Sequence, residues 1–187
     1  LIVAYASVPS PMRRKFPLHI VGGGTPQRLG HLRALTRRLD LTERLTFHGS
    51  LPHDQVTRLL ESADLFVLPS RAEGQPIALL EAMSAGLASV VTNVGAIPET
   101  VTDGVEAAIV DPCDPLQLAK QIRDLLADHS ARKVMGNAAQ MRVEKEFSTS
   151  QFARRLAGIW DEVARSGASQ DALPVPRLAS ATFRSLL

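Results

Sequence analysis

The stretch "LFVLPSRAEGQPIALLEAMSAGLASVVT", residues 65–92, decides the fold. It opens on a short apolar run, "LFVLPS" (65–70), that reads as a buried strand ended by Pro and Ser. "IALLEAMSAG" (77–86) follows with helical periodicity, and "ASVVT" (88–92) is a second buried strand. Strand, helix and strand in succession is the repeating unit of a parallel sheet covered by helices. Two glutamates, Glu73 and Glu81, stand in this unit with seven residues between them. Glu81 lies inside an otherwise apolar helical run, where a charge is rarely placed unless something pairs with it.

The same alternation extends outward. "LHIVGGG" (18–24), "LTFHGS" (45–50) and "AAIVDP" (107–112) each read as a strand ended by Gly, Ser or Pro. Between them lie helical patterns at 26–39, where Leu29, Leu32, Leu35 and Leu39 mark one face, and at 52–63. With right-handed crossovers this is an α/β, doubly wound, Rossmann-like parallel sheet. Beyond residue 112 the pattern is helical. Asp114 caps and Pro115 opens "DPLQLAKQIRDLLAD", and two more helices follow, at 130–147 and 148–167, each led by Ser. The expected organisation is one domain over 1–165 and a loose tail over 166–187. "LIVAYASV" at the start reads equally as strand or helix.

The 187 residues are enough to bury a sizeable core. Apolar residues make up 45% and charged ones 21%, as in ordinary soluble domains. The net charge of +2 comes from interspersed charges, with "MRRK" (12–15) and "TRR" (36–38) the densest basic runs, and it argues against nucleic acid. These basic runs read as solvated faces, with contact to an anion or a membrane surface as the alternative. The lone Cys113 excludes an internal disulfide and fits a reducing, cytoplasmic compartment. The histidines His19, His31, His48, His53 and His129 lack metal-ligand spacing, so no metal is expected. No apolar run has the length of a bilayer span, and the first residues lack the basic start of a signal peptide.

Ligands of α/β sheets bind beyond the carboxyl ends of the strands, which puts the loop "SRAEG" on the ligand rim. The helix after it starts near Pro76 or Ile77, and its unpaired N–H groups suit a phosphate. Gly74 keeps the approach open, and the carboxylates of Glu73 and Glu81 suit paired hydroxyls of a ribose or hexose. Phosphate beside hydroxyl-binding carboxylates points to a nucleotide sugar. The plainer reading makes Glu73 a helix cap and Glu81 the partner of an Arg.

The segment "PSRAEGQPIALLEAMSAGLASVVTNVGAIPETVTDGVEAAIVDP" (69–112) resembles the donor motif of retaining, GT-B-fold glycosyltransferases of family 4, the glycosyl transferases group 1 type. That motif runs "PS..EG.P..LLEAMA.G.PVV.T.VGG.PE.V.DG..G.LV". Upstream, the Gly-rich turn, the "F.G.L" strand end and "ADLFVLPS" follow the same course, so the resemblance covers residues 1–165. It implies the C-terminal, donor-binding half of a GT-B fold. Glu73 would contact the donor sugar and be tied to the reaction, and Gly74, Gln75, Pro76 and Ile77 would lie against sugar and diphosphate. Glu81 would bind the ribose, Gly22 and Gly24 would shape a loop near the nucleotide, and Gly49 and Ser50 would border the base. For the Gly-rich turn a tight strand exit is an equal reading, and with Gln27 in the last position no GxGxxG is present.

The resemblance further implies transfer from a nucleotide-sugar donor with retention and without metal, to a glycan or lipid acceptor in polysaccharide or cell-envelope synthesis. The place of action would be the cytoplasm, including peripheral contact with the inner membrane face. It makes "LIVAYASV" a helix and leaves the chain without the leading strand of the family domain, whose "VGRL…KG" turn supplies two diphosphate-binding cations. The acceptor-binding N-terminal half would be a separate or missing chain, and this piece alone is expected to be inactive. Ala88 and Ala107 stand where the family has Pro and Gly, and Ala107 would be crowded if its φ were positive. Two other classes fit the same residues: a nucleotide-sugar-binding regulatory module without turnover, and a GT-B-type epimerase of UDP-sugars.

Overall fold

The computed structural model describes residues 1–165, and the tail expected over 166–187 lies outside them. The chain divides into two compact units, residues 1–148 and 149–187. The described part of the second is helix α9 (Thr149–Arg165).

The first unit contains every strand expected from the sequence, as β1 (Leu18–Val21), β2 (Leu45–Gly49), β3 (Phe66–Leu68), β4 (Ser89–Thr92) and β5 (Ala108–Val110). Its helices are α1 (Ile2–Ala6), α2 (Ser10–Lys15), α3 (Pro26–Arg38), α4 (His53–Ser62), α5 (Ile77–Ser84), α6 (Ile97–Thr100), α7 (Pro115–Ala127) and α8 (His129–Glu146). "LIVAYASV" is thus helical. Its Ile2, Ala4 and Tyr5 are buried, and the Tyr5 hydroxyl donates to the Phe16 carbonyl at 2.9 Å, which gives the buried phenol its partner.

All strand pairs are parallel. The ladders form two sheets, however: β1 pairs with β2, while β3, β4 and β5 form a second set with β4 central. β4 is buried along its whole length because helices cover both of its faces. Val90 packs into one cluster with α1, α7 and the inner sides of β1 and β2, and Val91 into another with α5, α6 and α8. Leu32, Leu35 and Leu39 of α3 lie against the first cluster, so the leucine face reads correctly from its spacing.

Asp114 caps α7 as expected, accepting the amides of Leu116 and Gln117 at 2.9 Å. The cap of α8 differs from the expected Ser130. Asp128 accepts the Ala131 amide at 2.9 Å, because the break after α7 leaves this carboxylate one position ahead of the new helix. Arg132, 8% exposed, fastens that corner by donating to the carbonyls of Leu125 and Leu126, and it meets Asp64 at 3.3 Å. Ala107 does not need the left-handed region. Among the described residues the non-glycine positive φ values are those of Asp40 and of the exposed Cys113.

Candidate functional site

Parallel strands put the loops that follow β1, β2, β3 and β4 on one rim. The structure places all the sequence-predicted site residues there, in two groups.

The first group closes over β1 and β2. The Gly22 amide donates to the Gly49 carbonyl at 2.8 Å, and both glycines have positive φ (128° and 68°). A Cβ on Gly23 would lie 2.9 Å from the Ser50 hydroxyl, so the Gly-rich turn and the Gly49–Ser50 turn are in contact. Gly24 follows in the same exposed turn.

The second group follows β3. Ser70 donates to Glu73 Oε1 at 2.7 Å, and Thr92, at the end of β4, donates to the Ser70 carbonyl at 2.6 Å. Gly95 lies directly beneath Glu73: a Cβ added there would stand 1.7 Å from the Glu73 carbonyl oxygen. Gly74 and Gln75 are exposed, Pro76 is buried, and Ile77 is 61% exposed at the first position of α5. No side chain caps this helix. The Ile77 amide turns back to the Gln75 carbonyl at 2.9 Å, and the Leu79 amide bonds the Pro76 carbonyl, also at 2.9 Å. The anion-binding N-terminus expected from the sequence therefore has Ala78 as its open helical amide, with Gly74 and Gln75 ahead of it.

His53 joins the groups. It opens α4, three positions after Ser50, and its Nδ1 lies 3.4 Å from Glu81 Oε1. The imidazole is 78% exposed and the carboxylate 32%, so the contact orients Glu81 without removing it from a ligand. Ser70, His53 and Thr92 were not singled out by sequence reasoning. Gly95 was visible in it only as part of the quoted segment 69–112. The Glu73 carboxylate is therefore held from one side by Ser70 while its backbone rests on Gly95.

Next to the rim, His19 and His48 stack at 21° with their Nδ1 and Nε2 atoms 2.8 Å apart. Burial, and then the neighbouring His48, hold His19 below its ordinary pKa. The pair's hydrogen bond needs an acceptor nitrogen, so it is lost when both rings are protonated. The unfolded chain, with His19 near its ordinary value of about 6.5, binds the proton first as pH falls. The pair's contribution to stability is thus complete above that value and is lost as pH drops through the lower folded value. Melting curves recorded between about pH 8 and pH 4.5 should show this acid-side loss, and it should be reduced in His19→Gln. An unchanged profile in that variant would remove the pair as its source.

Among the described residues no group of three or more His, Cys, Asp or Glu is arranged to hold a metal ion, and no helix is long and apolar enough to cross a membrane.

Comparison with known proteins agrees with this architecture. The glycosyl transferases group 1 family matches residues 1–142. Glycogen synthase of Mycobacterium tuberculosis is 33% identical over 178 residues, covering 94% of this chain and 41% of that protein. D-inositol 3-phosphate glycosyltransferase of Corynebacterium diphtheriae is 29% identical over 147 residues, covering 79% of this chain and 34% of that protein. The chain therefore spans well under half the length of these curated relatives. Among solved structures, sucrose-phosphate synthase from Thermosynechococcus elongatus superposes with a TM-score of 0.78 at 25% identity, covering 88% of this chain and 41% of that one. HepE from Anabaena, solved with UDP-glucose, has the same fold with a TM-score of 0.78 at 23% identity, covering 87% of this chain and 44% of that one.

Proposed function

We propose that this chain, which belongs to the glycosyl transferases group 1 family, is the donor-binding half of a retaining, family 4 type glycosyltransferase with a GT-B fold. The observation that carries the reading is the rim itself. Glu73 and Glu81 flank the start of α5, whose first turn has no side-chain cap, and the turns of β1 and β2 come to the same edge through His53.

In this reading the diphosphate of a nucleotide sugar lies over Gly74, Gln75 and Ala78, where backbone N–H groups and the helix dipole meet negative charge. Pro76 and Ile77 line its approach. Glu81 accepts hydrogen bonds from two ribose hydroxyls, and Glu73, fixed by Ser70, accepts hydrogen bonds from the sugar. Gly22, Gly24, Gly49 and Ser50 border the nucleoside. As the glycosidic bond breaks, charge grows on the departing diphosphate, and the fixed amides stabilise it more than they stabilise the bound donor. No metal is called for. The acceptor, a glycan or a lipid-linked sugar, would be held by an N-terminal half that faces this rim, and transfer would need both. HepE was solved with UDP-glucose, and the curated relatives are named as a glycogen synthase and a D-inositol 3-phosphate glycosyltransferase, which supports an activated sugar as donor. The place of action would be the cytoplasm or the inner membrane face.

Calorimetric titration of the chain with UDP-, GDP- and ADP-sugars in the absence of metal tests this. One base should bind in preference, and Glu81→Ala should weaken it by about tenfold or more, the loss expected when hydrogen bonds to a charged acceptor are removed. Undiminished binding in that variant, or no binding to any of the three, would overturn the assignment.

A further inference from the structure

The ladder between β3 and β4 ends at the pair Leu68 and Val91. The residue after β3 is Pro69, which has no N–H and cannot extend the ladder. The chain is nevertheless held to β4 beyond that point, by a side chain. The Thr92 hydroxyl has one proton and two carbonyl oxygens within reach, that of Ser70 at 2.6 Å and that of Leu68 at 3.3 Å. Only the first distance falls in the ordinary range of an O–H···O hydrogen bond, so the proton goes to Ser70. Thr92 is 4% exposed, which leaves water little access to compete for it.

Ser70 is engaged in both directions. Its carbonyl is pinned by Thr92, and its own hydroxyl donates to Glu73 Oε1 at 2.7 Å. That bond occupies one lone pair of a carboxylate with about four acceptor sites, so it orients the group without using it up. The other parts of the rim are steadied from elsewhere. His53 of α4 meets Glu81 at 3.4 Å, and the start of α5 is fixed by the Ile77 amide on the Gln75 carbonyl.

We propose that Thr92 is a positioning residue, which sets the Glu73 carboxylate for the donor sugar by way of the Ser70 carbonyl and hydroxyl. The inference rests on the donor reading for its ligand. It goes beyond that reading in tying the sugar's part of the affinity to a buried hydroxyl that touches no ligand. A free glutamate loses rotamer freedom when a ligand orders it, whereas one already held by Ser70 has lost that freedom before binding. Glu73 meets the sugar, while Glu81 and the amides at the head of α5 meet ribose and diphosphate. Removal of the Thr92 hydroxyl therefore weakens the sugar's contribution and leaves that of the nucleoside diphosphate in place.

Calorimetric titration of the chain with UDP-, GDP- and ADP-sugars, each beside its own nucleoside diphosphate, tests this. Thr92→Val, which keeps the buried shape and removes the hydroxyl, should weaken the preferred nucleotide sugar by at least about fivefold and its diphosphate by less than about twofold. Thr92→Ser, which restores the hydroxyl, should bind both as the unaltered chain does. Ser70→Ala should reproduce the selective loss. Combined with Thr92→Val it should lose no more than the larger single loss, since both act along one path. An undiminished nucleotide sugar, an equal loss of both ligands, additive losses or no rescue by serine would overturn the assignment.

A second readout needs no ligand. Three-bond NMR couplings about the Glu73 side chain should report one rotamer in the unaltered chain and in Thr92→Ser, and averaged rotamers in Thr92→Val and Ser70→Ala. Averaging in the unaltered chain, or a single rotamer in all four, would also overturn it. A chain that binds none of the nucleotides fails the donor reading alone, and the couplings still decide whether Thr92 positions Glu73.

Discussion

Gly136→Ala should lower the stability of the chain by about 3 kcal/mol or more, the upper range for forcing added volume into a closed contact. Gly136 lies in α8 where that helix crosses the end of α5. A Cβ built on it stands 2.0 Å from the Gly86 carbonyl oxygen and 2.9 Å from its carbon. Both obstructing atoms are backbone, and Gly86 is fixed in the left-handed turn (φ 71°) that ends α5, so neither neighbour yields by a rotamer change. Alanine must instead lift α8 away from Met83, Leu79 and Val91, the cluster that Ala139 and Val143 of α8 help to close. The sign is informative, since in an exposed helix the same substitution gains about 1 kcal/mol. A fall in melting temperature of roughly 6–12 °C, with the denaturant midpoint moving alongside, is the expected result. An unchanged or raised midpoint would mean that α8 does not seat on the α5 turn.

Gly95→Ala should abolish donor binding by a route that leaves every predicted donor contact chemically intact. The position has φ 54° and faces the backbone of Glu73, with its would-be Cβ 1.7 Å from the carbonyl oxygen and 3.2 Å from the nitrogen. Alanine therefore displaces the Glu73 loop by about an ångström or more, and misplacement on that scale costs on the order of a hundredfold at a preorganised site. Gly104→Ala provides the comparison. It carries a similar left-handed strain (φ 74°) but meets nothing within 4 Å. Both variants should lose about 1–3 kcal/mol of stability to backbone strain. Only Gly95→Ala should lose titratable nucleotide-sugar binding, and equal binding by the two would separate Glu73 from the donor.

The layers of this fold are legible in the sequence because each strand is a closed apolar run and each long helix repeats its apolar side at helical spacing. The Asp114–Pro115 start is legible for the same reason, being a local signal. α2 and α6 were not foreseen, since four to six residues are too few to establish a period. The cap of α8 was misplaced by two residues because Asp128 and Ser130 are both good caps and only the end of α7 chooses between them. Which strands pair was not legible, because strand pairing is a non-local property that no run of residues encodes by itself.

The site divides in the same way. Glu81 stood out as a charge among apolar neighbours, and Glu73 through its place in the loop that follows a strand on the ligand rim. Their supports did not. Ser70 and Thr92 are ordinary strand-end residues in the sequence, and His53 meets Glu81 only because α4 and α5 lie on the same face of the sheet.

The two-sheet arrangement also bears on motion. The turns holding Gly22, Gly24, Gly49 and Ser50 ride on β1 and β2, whereas Glu73 and its supports ride on β3 and β4. No ladder hydrogen bond spans these two carriers, so displacing one against the other costs side-chain repacking and the His53–Glu81 contact rather than ladder hydrogen bonds. The width of the rim is then a soft coordinate, while the height of each loop above its own strands is a stiff one. A ligand that touches both carriers narrows the spread of that soft coordinate, and part of its binding energy is spent there before any contact is counted as affinity.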